Sequence, residues 1–136
     1  MNPENIKDLA LVRLDRAKEL LDEADYLIET ESFKSANNRA YYATEKALKA
    51  VLALKGKDAK THSGVIALFN DYYICNNNEF FDRSDLKTIR KMERIRNASD
   101  YDDFYIASKA ECKKQVHDAK MIIEKTERYL QSEGLL

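Results

Sequence analysis

The side chains best suited to chemistry in this 136-residue sequence stand together in Arg96-Asn97-Ala98-Ser99-Asp100-Tyr101. An arginine presents a planar fork of donors that matches a phosphate in two-point contact. The amide of Asn97 and the phenol of Tyr101 could add donors and hold a hydroxyl or a base. Arg96, Asn97 and Tyr101 therefore form the candidate catalytic group. Asp100 lies one helical turn beyond Arg96, where its carboxylate could pair with the guanidinium. That internal ion pair and a bound phosphate are two readings of the same arginine. On a regular helix Tyr101 would project about 140° away from Arg96. A shared pocket then requires a helix break near Asn97 or a cleft between two chains.

A second set lies earlier in the chain, where Arg39, Tyr42 and Lys46 line one helical flank and could meet the phosphate and base of a nucleotide. The simpler reading is packing, because tyrosines beside an apolar seam often complete a core with their hydroxyls at its edge. The two histidines, His62 and His117, read as surface or capping residues.

Charge and composition narrow the classes. With 23 basic and 24 acidic residues the net charge is −1, so a general grip on a polynucleotide is not expected and any such contact needs a local patch. Arg83, Lys87, Arg90 and Arg94, with Lys91 to one side, form such a stripe at helical spacing; a solvated face is its simpler meaning. Cys75 and Cys112 are too few and too far apart for a zinc site or a disulfide framework. No metal and no cofactor is expected. No apolar run reaches the length of a membrane span, and the charged start MNPENIKDLALVRLD lacks the apolar centre of a signal peptide, which predicts a cytoplasmic protein without membrane association.

These groups must be positioned by helices. Three glycines and one proline leave little backbone punctuation, and the chain is rich in Ala, Leu, Glu and Lys. Three apolar seams alternate steps of four and three: Ala10, Leu14, Ala17, Leu21, Ala24, Ile28; Ala36, Ala40, Ala43, Ala47, Ala50, Leu54; and Cys112, Val116, Ala119, Ile123, Thr126, Leu130. Such steps average near 3.5 residues and suit shallow crossing angles. Glu29-Thr30-Glu31-Ser32 is short enough to fold the first two helices into an antiparallel hairpin. Gly56 should stop the second helix, and Thr61 should cap a third whose inner face is Val65, Leu68, Phe69 and Tyr72. Asp82 and Asp85 can start a fourth, with Leu86, Ile89, Met92 and Arg96 turned inward, and Ser108 with Glu111 has the spacing of a capping box for a fifth. Residues 100–107 read as a structured connection. The expected fold is all-α: one domain over residues 1–136, an antiparallel up-and-down bundle of about five helices.

SANNRAYYATEKALKAVLALKGKDAKTHSGV and FFDRSDLKTIRKMERIRNASDYDDF together resemble the HEPN domain family (higher eukaryotes and prokaryotes nucleotide-binding), and the likeness covers nearly the whole chain. It is carried by Arg39-Ala40-Tyr41-Tyr42, by Thr61-His62-Ser63-Gly64 and by the arginine-led motif at Arg96. The resemblance implies a helical bundle that forms a homodimer and is often encoded beside a minimal nucleotidyltransferase in a toxin-antitoxin pair. Active relatives are metal-independent ribonucleases with an arginine, a polar residue directly after it and a histidine after a short gap, contributed by both subunits across the interface. Here Arg96 and Asn97 are in place, but Tyr101 stands in the histidine slot. A tyrosine with an ordinary pKa of roughly 10 is a poor base at neutral pH, though it can donate a hydrogen bond. Some relatives are silenced by nucleotidylation of a tyrosine beside the motif, which points to Tyr101 and Tyr105. The function expected is recognition of RNA or nucleotide phosphate at a dimer cleft, with endoribonuclease activity left open by Tyr101. The alternative is a non-catalytic nucleotide-binding subunit of a partner nucleotidyltransferase.

Overall fold

The computed structural model describes residues 2–136, and these form five α-helices with no strand among them. They are α1 (Pro3–Glu29), α2 (Phe33–Ala53), α3 (His62–Phe69), α4 (Arg83–Tyr101) and α5 (Lys109–Ser132). The all-α bundle expected from the seams is the observed architecture. The second helix is its axis, packing against α1, α5, α4 and α3.

The alanine seam explains why. Ala36, Ala40, Ala43, Ala47 and Ala50 are all fully buried, so neighbouring backbones approach α2 closely, while Tyr41, Leu48 and Val51 fill the space beside it. The seams of α1 and α2 each differ at one position: Leu20 is buried in place of Leu21, and Leu54 is only partly covered. Leu54 already lies past the end of α2, where the chain turns away.

Two helix ends close with the same hydrogen-bond pattern. After α2, the Gly56 amide donates to the Ala53 carbonyl at 3.0 Å and the Lys57 amide to the Leu52 carbonyl at 3.1 Å, with Gly56 left-handed at φ 66°. After α1, the Glu31 amide donates to Ile28 at 3.0 Å and the Ser32 amide to Leu27 at 2.8 Å, and Glu31 takes the same left-handed position at φ 61°. A side chain there costs what a glycine avoids.

The third helix begins as its cap residue predicts, the Thr61 hydroxyl accepting from the Gly64 amide at 3.0 Å. A Cβ on Gly64 would sit 2.8 Å from that hydroxyl, so the cap and the glycine belong together. The helix then widens into a π-turn over Asn70–Ile74. The widened turn moves full burial from Tyr72 to Tyr73 and Ile74, which join Val65, Ile66 and Phe69, while Leu68 and Tyr72 pack partly buried against the same core.

Two contacts set the position of α4. Asp82 and Asp85 form the reciprocal capping box, and Asp85 also receives Lys125 of α5 at 2.8 Å. Further along, the buried Gln115 of α5 donates to the Met92 carbonyl at 3.0 Å, one turn before Arg96. The connection to α5 begins only after Tyr101, later than the sequence suggested, and ends where the Ser108 hydroxyl accepts from the Glu111 amide at 3.1 Å. Only that half of the expected box forms; Glu111 Oε1 is buried without a partner.

Candidate functional site

Helix α4 runs unbroken through Asn97 to Tyr101, so of the two routes to a shared pocket the helix break is absent. Arg96 nevertheless reaches the Tyr101 ring within one chain, its guanidinium carbon 5.7 Å from the ring centre and 5.6 Å from that of Tyr42 on α2. The long arginine side chain spans an angle that a wheel of Cβ directions places out of reach. The guanidinium lies between two phenols, and Arg96 is only 6% exposed.

Its donors are only partly met. One terminal nitrogen lies 3.1 Å from the Asp100 carboxylate, the ion pair expected from the sequence spacing, and the other donates to the Asn97 amide oxygen at 2.7 Å. Nε is buried without a partner. Asn97 thus serves as an acceptor that holds the arginine. Burial works against the charge, but Tyr42, Tyr101 and Asp100 outweigh it and hold the guanidinium above its ordinary pKa. Arg96 is cationic at any working pH.

Around this centre the first half of α2 meets the last turns of α4. Asn38 donates to Asp100, and the buried Asn37 donates to Ser99 at 3.2 Å. The Tyr41 hydroxyl faces Glu93 at 3.5 Å; burial first, then Glu45 and Glu93, push this phenol above its usual range. Five buried polar atoms find no partner among the described residues: Arg96 Nε, Asn37 Oδ1, Asn38 Oδ1, the Tyr105 hydroxyl and Glu111 Oε1. All belong to the first turns of α2, the end of α4 and the chain from there into α5. This end also exposes apolar rings and side chains, with Tyr101 at 75%, Phe104 at 93% and Ile106 at 87%.

Among the predicted residues, Arg96, Asn97, Asp100, Tyr101 and Tyr42 come together. Arg39 does not join them: it turns to α1, 3.5 Å from Glu23, and Lys46 lines a groove with Val12, Arg16 and Glu19 of α1. The basic stripe of α4 is exposed, and none of Arg83, Lys87, Arg90, Lys91 and Arg94 enters an ion pair among the described residues. Arg83, Lys87 and Arg90 line a groove of about 650 Å³ beside the π-turn, and Arg90 and Arg94 line a second of about 250 Å³ against α3. His117 is exposed. His62 is more than a surface residue: its Nδ1 meets the Glu45 carboxylate, and its ring packs against Tyr41 at 5.5 Å and Tyr42 at 5.9 Å. Sequence spacing carries no signal for that pair, since Glu45 and His62 meet only through the packing of α3 on α2.

The HEPN domain model matches residues 10–129, which include every residue of this cluster. The chain belongs to the HEPN domain family. It is 28% identical over 123 residues to the protein named "Putative toxin MJ0142" of Methanocaldococcus jannaschii, covering 90% of this chain and 82% of that one. With "Putative toxin MJ0605" of the same organism it shares 27% identity over 127 residues, covering 93% and 92%. The fold of this HEPN chain is also that of TT1696 from Thermus thermophilus, with a TM-score of 0.73 over 88% of this chain and 96% of that one, at 20% identity. Among the described residues no helix of this HEPN domain is long and apolar enough to cross a membrane, and no group of three His, Cys, Asp or Glu side chains could hold a metal ion.

Proposed function

We propose that this HEPN protein is the toxin-like component of a two-gene module, and that the Arg96 shelf grips a backbone phosphate of RNA. The observation that carries the reading is a buried guanidinium set between two tyrosine rings with one nitrogen unsatisfied. A phosphate entering beside the exposed Tyr101 would exchange with Asp100 for the two-point edge of Arg96, and the phenols would take the sugar or base. The unpaired cations on the exposed face of α4 favour a polynucleotide over a free nucleotide, because they add positive charge on the same helix as Arg96 that only a longer strand could also reach.

We further propose that the protein works as a homodimer. Tyr101, Phe104 and Ile106 present apolar area beside polar atoms that lack partners, which a second copy would cover and satisfy. A minimal nucleotidyltransferase is the proposed partner protein. Tyr101 in the motif's histidine slot favours a second reading, in which the shelf holds substrate for that partner and cleaves nothing itself.

A fluorescein-labelled oligouridylate of about twelve nucleotides, titrated in excess EDTA, tests the shelf. Arg96→Gln should weaken binding by about 10- to 100-fold, the worth of a charge-assisted contact, with helicity unchanged. Equal affinity of the two proteins would remove the Arg96 reading.

A further inference from the structure

We propose that His62, oriented by Glu45, accepts the proton of the 2′-hydroxyl when RNA is held at Arg96. The inference rests on the Arg96 reading and adds the residue that Tyr101 leaves missing from the motif.

The geometry begins with Tyr42. Its ring centre is 5.6 Å from the Arg96 guanidinium carbon and 5.9 Å from the His62 ring, so one tyrosine touches both the phosphate-binding cation and the imidazole. Tyr41 packs edge-on against His62 at 5.5 Å beside Tyr42, and its own hydroxyl points to Glu93 of α4. The imidazole is fixed in direction. Glu45 reaches Nδ1 from one turn further along α2, and its side chain is 13% exposed against 34% for His62. With Nδ1–H donated to this sheltered carboxylate, the neutral ring keeps its lone pair on Nε2. A carboxylate, an imidazole and a nearby site for the reacting group make the arrangement by which a base is held in one tautomer and its cation stabilised.

The surroundings suit a nucleic-acid strand. Ser63, next to His62, lines the groove between α3 and α4 with Arg90, Glu93 and Arg94. The charged and titratable groups facing the imidazole region are thus Glu45, Tyr41 and Tyr42 from α2, and Glu93, Arg96, Arg90 and Arg94 from α4. Two carboxylates and three guanidiniums leave room for a phosphate and still offer the imidazolium a counter-charge.

The step balances without metal or oxidant. His62 Nε2 takes the 2′-hydroxyl proton as the 2′ oxygen forms a bond to phosphorus, and the bond from phosphorus to the 5′ oxygen breaks. The leaving 5′ oxygen takes a proton from water, and His62 returns its proton to the hydroxide so formed. The products are a 2′,3′-cyclic phosphate and a 5′-hydroxyl, while Arg96 offsets the charge that builds on the phosphorane. His62 would be a catalytic residue, and Glu45 a positioning residue.

The test uses the full chain, the same oligouridylate in EDTA and a control oligomer lacking its 2′-hydroxyls. Wild type should cleave only the former. His62→Gln should lower the rate at least 100-fold and change oligomer affinity less than 2-fold, and free imidazole should restore part of the activity of His62→Ala. Glu45→Gln keeps the imidazole but loses the carboxylate that directs its Nδ1, so kcat should fall at least 10-fold with KM unchanged; this readout stands even where His62→Gln disturbs α3. Cleavage by His62→Gln at the wild-type rate overturns the proposal. RNA binding without cleavage by wild type also overturns it and leaves the Arg96 reading standing, whereas unchanged binding by Arg96→Gln removes both.

Discussion

Arg96 is nearly enclosed, yet its wall is half open: Tyr42 belongs to the packed flank of α2, whereas Tyr101 is largely exposed. That difference predicts diverging effects at Tyr101. Replacing it with Phe removes a phenol beside Arg96 that could bond a bound phosphate and should weaken oligouridylate binding by about 2- to 10-fold, while Tyr101→His places a titrating group beside the phosphate and should raise the cleavage rate. If both variants alter only thermal stability, Tyr101 belongs to the bundle edge and not to the site. Some of this cluster is legible in the sequence. The pairing of Arg96 with Asp100 follows from one helical turn, and its inward direction from the phase of Ile89 and Met92. The approach of Arg96 to Tyr101 is not, because helical phase describes Cβ directions and takes no account of the length of an arginine side chain. Nor is the Glu45–His62 pair, which depends on how a short helix docks across another.

At the scale of the helices, phase and caps are read well and turns less so. Each seam of four and three became a buried face, and Thr61, Asp82 and Ser108 cap the helices they precede. The π-turn escaped because a one-residue widening has no residue signature in NDYYI, and it moved burial from Tyr72 to Tyr73. The turn after α1 holds a correctable defect. Glu31 occupies the left-handed position that Gly56 fills after α2, in the same hydrogen-bond pattern. Glu31→Gly should relieve roughly 1 kcal/mol of backbone strain, less the added freedom of the unfolded chain. The net gain should appear as a rise of a few degrees in the midpoint of thermal unfolding followed by circular dichroism. Gly56→Ala should shift it the other way.

The whole molecule keeps a buried thiol and three covered phenols neutral, and this makes it sensitive to alkali. Burial pushes the Cys112 thiol up to about 11, and burial above all raises the phenols of Tyr41, Tyr73 and Tyr129. Each is protonated in the fold and ionises more readily once unfolded. The stability they contribute is complete below the unfolded thiol and phenol pKa values, and it is lost as pH rises through the folded ones. Chemical denaturation midpoints should therefore hold to about pH 8.5 and fall from there to about pH 11. Absorbance at the tyrosinate band should show these three of the eight tyrosines ionising only as the bundle opens. A flat midpoint across that range would contradict the assignment. The alanine seam of α2 has a consequence of another kind. A helix that touches four others cannot lose its own hydrogen bonds while they stay docked, so its amides have no route to solvent short of opening the whole bundle. In deuterium exchange the amides from Ala40 to Val51 should be the last to trade their protons, all at one rate, and that rate should report the free energy of global unfolding.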